Sequence, residues 1–97
     1  MPARRKPVVC RVCGEWGYEE PDDPCPGLCP ACLARALSAT LAETWDDHDR
    51  GHTVRRCIER NAARLEGIGL TPAAVARFRR GAERALAGEL AAERRGN

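Results

Sequence analysis

The residues of this 97-residue chain best suited to chemistry are its six cysteines. Cys10 and Cys13 form one C-x2-C pair and Cys29 and Cys32 a second, with fifteen residues between the pairs. A C-x2-C turn aims two thiolates at one point. Two such turns supply the tetrahedral four-sulfur coordination that a structural zinc ion prefers. One zinc ion on Cys10, Cys13, Cys29 and Cys32 is therefore expected. Cys25 lies in the same tract, either as a bystander or as a substitute for Cys29, and Cys57 falls on the apolar side of a later helix as a core residue. Disulfides are the competing use. The opening "MPARRKPVV" has no apolar stretch of signal-peptide length, and no segment could span a membrane. A cytoplasmic location without a membrane partner is expected, and there clustered cysteines more often bind metal than each other.

Two other sets of residues could act. His48 and His52 are spaced i, i+4 and, with Asp47 or Asp49, could hold a second metal on a continuous helix, though Gly51 interrupts it and a solvated surface is the simpler reading. Arg56, Arg60 and Arg64 form one arginine stripe, and Arg77, Arg80 and Arg84 another. Arginine suits phosphate because it stays charged and bonds in bidentate fashion. The same stripes could also be solvated faces paired with glutamates.

The elements that must position these residues follow from composition and period. Only Trp16, Tyr18, Trp45 and Phe78 are aromatic, so the core is poor in large side chains and needs a staple. Residues 1–7, basic and with two prolines, read as a flexible arm. "VVCRVCGEWGY" could form a short β-hairpin around a turn at Gly14. "EEPDDPCPG" must be loop. Leu33, Leu37, Leu41 and Trp45 recur every four residues after Pro30, predicting a first helix that buries this face. Val54, Ile58, Asn61, Ala62 and Leu65 mark a second helix ending near "EGIG". Thr71 and Pro72 start a third, with Val75, Phe78, Ala82, Leu86 and Leu90 on one side. The expected fold is small α+β, mostly α: an N-terminal four-cysteine zinc finger with a short hairpin, followed by about three helices. Residues 8–46 would be the finger and first helix, and 47–97 an arginine-rich helical region sharing the same core.

Charge is unevenly spread although the formal net is only +2. Residues 1–14 carry four positive charges and no acid, residues 15–24 carry five acids, and residues 51–97 carry ten arginines against five glutamates. The acids sit between the cysteine pairs, so the finger itself is not expected to touch nucleic acid.

Four resemblances bear on function. A knuckle, a hairpin and then a ligand pair opening a helix resemble treble-clef and zinc-ribbon fingers, and "LCPACLARAL" is similar to the second half of GATA-type fingers, where the C-x2-C pair starts the helix. "CPGLCPAC" resembles the C-x3-C-x2-C iron–sulfur motif of radical-SAM enzymes, whose barrels are far longer than this chain. "RLEGIGLTPAAVARFRRG" resembles the turn and recognition helix of helix-turn-helix regulators, which would place Thr71, Ala73, Ala74, Arg77 and Arg80 at a DNA groove. "DDHDRGHTVRRCIERN" faintly resembles HNH-class phage endonucleases, implying His48 as base and Asp47 and Asn61 as metal ligands.

The leading expectation is a non-enzymatic zinc-binding regulator that contacts DNA or the transcription machinery through Arg56, Arg60, Arg64, Thr71, Arg77, Arg80 and Arg84. The second is a protein-interaction adaptor with a purely structural zinc, anchored by Trp16 and Tyr18 within the acidic loop. A metal nuclease is the third.

Overall fold

A computed structural model describes residues 5–96. The first four residues of the expected arm lie outside them. Two strands and four helices follow in order among the described residues: β1 (Lys6–Val9), β2 (Trp16–Glu19), α1 (Pro30–Asp49), α2 (Val54–Ile68), α3 (Pro72–Ala85) and α4 (Ala87–Gly96). The molecule is mostly helical, with one antiparallel hairpin near its start. Lys6 and Pro7, expected in the arm, belong to β1, where they pair with Glu19 and Tyr18.

The hairpin is closed by the first cysteine turn. Cys10 N–H donates to Glu15 O at 2.8 Å, and Gly14 N–H returns to Cys10 O at 3.0 Å. Gly14 has φ +79°, a left-handed conformation that glycine adopts without steric cost. Alternation along the strands places Pro7, Val9, Trp16 and Tyr18 on one side, and Val8 and Gly17 on the other.

The apolar core is built by α2 and α3. Ala62, Leu65 and Val75 are buried together, with Ile68, Leu70 and Phe78 packed against them. The turn between these helices is set by Gly69 at φ +112°. Its N–H bonds Glu66 O, and Leu70 N–H bonds Leu65 O at 3.1 Å. This is a Schellman cap, completed by the apolar contact of Leu70 with the core around Leu65. Thr71 then caps α3 through a bond from Ala74 N–H, and Thr53 caps α2 through one from Arg56 N–H.

Two features depart from the periodic reading. Periodicity carries the third helix past Leu90, but the helix breaks at Leu86 and α4 begins anew. The break buries Leu90 and brings the Glu93 carboxylate to the N-terminus of α2, where it accepts from Val54 N–H at 2.6 Å and Arg55 N–H at 3.3 Å. Long-range capping thus overrides local helical continuity.

The second departure is the rotation of α1. Its Leu37, Leu41 and Trp45 face is the expected core face, yet these residues are 40, 56 and 62 % exposed. The buried side of α1 is Cys32, Thr40 and Asp47, with Thr44 half-buried beside them. That side meets α2, the one helix among the described residues that α1 packs against. The Thr44 hydroxyl lies 2.9 Å from both Thr40 O and Asn61 Oδ1. One hydroxyl proton serves one acceptor, so the pair is satisfied when the Asn61 amide is turned to donate to Thr44. Asp47, 2 % exposed, receives Arg64 Nη1 at 2.7 Å and Arg60 Nε at 3.1 Å on the same oxygen, and Arg64 Nε also reaches Glu43 at 2.8 Å. At Asp47 the angles fall outside hydrogen-bond geometry, so these contacts act as ion pairs. Arg64, then Arg60, outweigh burial and hold the Asp47 carboxyl down to about 2.

These contacts set the response to mutation and to acid. Gly67 is helical with open space around it, whereas a side chain at Gly69 would be strained and would meet the Arg11 guanidinium. Gly67→Ala is expected to stabilise by about 0.5–1 kcal/mol and Gly69→Ala to destabilise by at least about 1 kcal/mol, measured by urea unfolding. Asp47 titrates at about 2 when folded and at ~3.9 when unfolded, so its contribution is complete above about pH 4 and fades as pH falls toward 2. The gap in urea midpoint between wild type and Asp47→Asn should hold from neutral pH down to that range and close below it. Equal midpoints at neutral pH would remove the ion pair from the account.

Candidate metal centre

The two cysteine turns converge. The Sγ atoms of Cys10, Cys13, Cys29 and Cys32 all lie within 4.8 Å of one another, the one such group among the described residues. Cys13 and Cys29 sulfurs are 3.7 Å apart. Metal–sulfur bonds of about 2.3 Å in a tetrahedron place sulfurs ~3.8 Å apart, so the spacing fits a four-coordinate ion, and the four residues could hold one. A four-thiolate set suits zinc or iron.

Local structure aims each thiol. Cys10 leaves the end of β1, and Gly14 turns the chain so that Cys13 faces back. Cys29 is the N-cap of α1, its sulfur 3.4 Å from Cys32 N, and Pro30 occupies the first helical position. The Cys10 thiol is pulled down to about 6 by the backbone N–H groups of Cys13, Cys29 and Val12. At Cys13 the Glu15 backbone also favours thiolate, but desolvation and the sulfurs of Cys10, Cys29 and Cys32 together push it up to about 12. Each ionisation thus makes the next harder until a cation supplies the opposing charge. Arg35 donates to Cys32 Sγ at 3.3 Å, and this contact raises its own pKa.

Cys25, the candidate substitute ligand, is outside the cluster. It is fully buried, and its thiol faces Ile68 O at 3.9 Å. Arg11, in the first knuckle, has a role that the sequence reading misses. Its guanidinium donates to Pro26 O at 2.8 Å and also to Ile68 O, the last carbonyl of α2. Thr71 N–H donates to Pro24 O at 2.9 Å. The contacts of Arg11 and Cys25 with Ile68 O and of Thr71 with Pro24 O therefore seat the cysteine-rich half on the α2–α3 turn. An arginine between two cysteines carries no sequence signal for this role, because its acceptor is a backbone carbonyl 57 residues away.

The remaining expected site residues are dispersed. Arg60 and Arg64, expected on a nucleic-acid-facing stripe, point to Asp47 instead. Thr71 is engaged at both its hydroxyl and its N–H, and Ala74 is buried. Arg77 and Arg80 line a cleft whose opposite wall is Pro21, Asp22 and Asp23. Arg56 and Arg84 are exposed. Gly51 at φ +89° follows the end of the first helix, so His48 is exposed on α1 and His52 stands beyond it. For the nuclease likeness, Asp47 faces two guanidinium groups and Asn61 is held by Thr44. No helix is long and apolar enough to cross a membrane among the described residues. No family model, curated protein or solved structure matches the chain.

Purified protein is expected to carry one metal ion per chain by native mass spectrometry and none after Cys29→Ser. Arg11→Met should keep the metal yet weaken its reach. Chelation would then lower the melting temperature of the helices less than in wild type. Equal chelation effects in both proteins would sink this coupling.

Proposed function

We propose that the chain is a non-enzymatic protein-interaction adaptor in which a structural zinc ion on Cys10, Cys13, Cys29 and Cys32 rigidifies a hairpin that docks a partner protein. The observation that carries this reading is the open face of the hairpin. Trp16 and Tyr18 are 66 and 63 % exposed and stack edge to face at 5.8 Å, with Val9 and Pro7 beside them. Rigid aromatics on an uncovered face are the usual anchors of protein interfaces. Glu15, Glu19, Glu20, Asp22 and Asp23 surround them in sequence, which favours a partner with basic residues and disfavours phosphate. The order of knuckle, hairpin and helix-opening knuckle is also that of treble-clef fingers.

A second reading, contact with DNA in the manner of a helix-turn-helix regulator, is supported by the exposed Arg77, Arg80 and Arg84 on α3. It has the acidic Asp22 and Asp23 across the cleft from two of these arginines.

The two readings separate on duplex binding and on Trp16. The adaptor reading expects a partner retained through nuclease treatment in a pull-down and lost with Trp16→Ala/Tyr18→Ala. It also expects no saturable duplex binding by anisotropy at low salt. Tight duplex binding with a steep salt slope, abolished by Arg77→Ala/Arg80→Ala, would assign the function to DNA.

A further inference from the structure

The Cα trace extends 51 × 30 × 15 Å, a flat and elongated shape. A stable domain ordinarily packs two layers around its core. Here α1 and α3 lie on either side of α2 without packing on each other. Between them runs an open apolar groove of about 450 Å³, lined by Leu41, Trp45, Ile58, Phe78, Ala82 and Leu86. Leu37 continues the exposed α1 wall of this groove. A contiguous apolar surface of this kind marks an interface.

From this face we infer that the groove and the α1 ridge are covered by a second copy of the same chain, α1 against α1 in antiparallel pairing about a two-fold axis at Leu41. Charge complementarity selects this occupant. Helical spacing puts Arg35, near the start of α1, on the same flank as Asp46 and Asp49 near its end. Antiparallel pairing about Leu41 sets Arg35, which also donates through one Nη to Cys32 Sγ, at the level of Asp46 and Asp49 of the partner subunit, twice by symmetry. Parallel pairing would turn the two charged flanks to opposite sides, so these groups would not meet. The same axis lays Leu37 against the partner's Trp45 and Leu41 against the partner's Leu41, while Ala34 and Ser38 on this face allow close approach. The contact is isologous and therefore closes at two chains. The contact is made by α1 and not by the hairpin residues Trp16 and Tyr18, so it is tested separately from what the hairpin binds.

Sedimentation equilibrium of the metal-loaded full chain, from micromolar to near-millimolar concentration, tests this. Twice the mass of one chain is expected. Leu41→Glu and Leu41→Arg, made at an exposed position, should each be monomeric with unchanged circular dichroism. Mixing the two should restore the double mass, because the axis sets residue 41 against itself. In a Trp16→Phe background, Trp45 emission should shift to the blue as wild-type mass doubles. A wild-type chain monomeric throughout, a dimer that survives Leu41→Glu, a mixture that stays monomeric, or Trp45 emission independent of concentration would each overturn the inference.

Discussion

The orientation of α1 depends on one buried carboxylate. Asp47 on α1 and the guanidinium groups of Arg60 and Arg64 on α2 must meet, because an acid this far from water is tolerated only when paired. Meeting them turns the polar side of the helix inward. Thr40 is then buried, Thr44 faces Asn61, and the leucines that periodicity would bury are left outside. The same contact withdraws two arginines from any outward-facing stripe. Breaking such a pair leaves a buried charge without compensation, and the arrangement the pair holds here exposes an apolar surface.

The second constraint joins the two halves. The last carbonyl of α2 carries the negative end of the helix dipole, and it faces Arg11 from the first knuckle and the Cys25 thiol from the loop. The geometry that holds the knuckle thus also finishes a helix far along the chain. Cys25 is explained in the same way: it is a small buried packing residue at this joint.

Much of this was legible in the sequence. Two C-x2-C pairs marked the four clustered thiols, since each pair is a local turn. Thr71, Pro30, Pro72 and Gly69 marked helix ends through chemistry that acts within a few residues. Val75, Phe78 and Leu65 fell where the α2–α3 core needed them. What stayed hidden was long-range and polar. Apolar period pointed to Leu37, Leu41 and Trp45, but the rotation of α1 was decided by Asp47, whose partners lie on another helix. The break at Leu86 was decided by Glu93 reaching Val54, which no local pattern at Leu86 encodes. Arg11 carries no local signal of its acceptor, a backbone carbonyl at the end of α2.

The starts of the first three helices share one further property. A helix N-terminus, with its free N–H groups and positive dipole end, is a ready receptor for phosphate. In α1 that position holds the Cys29 sulfur. In α2 it holds the Glu93 carboxylate as well as the Thr53 hydroxyl. In α3 the Thr71 hydroxyl fills it, with Pro24 O lying on the preceding N–H. Each of these anion receptors is thus answered from within the chain, and a nucleotide or a nucleic-acid backbone would have to displace an internal group to use one.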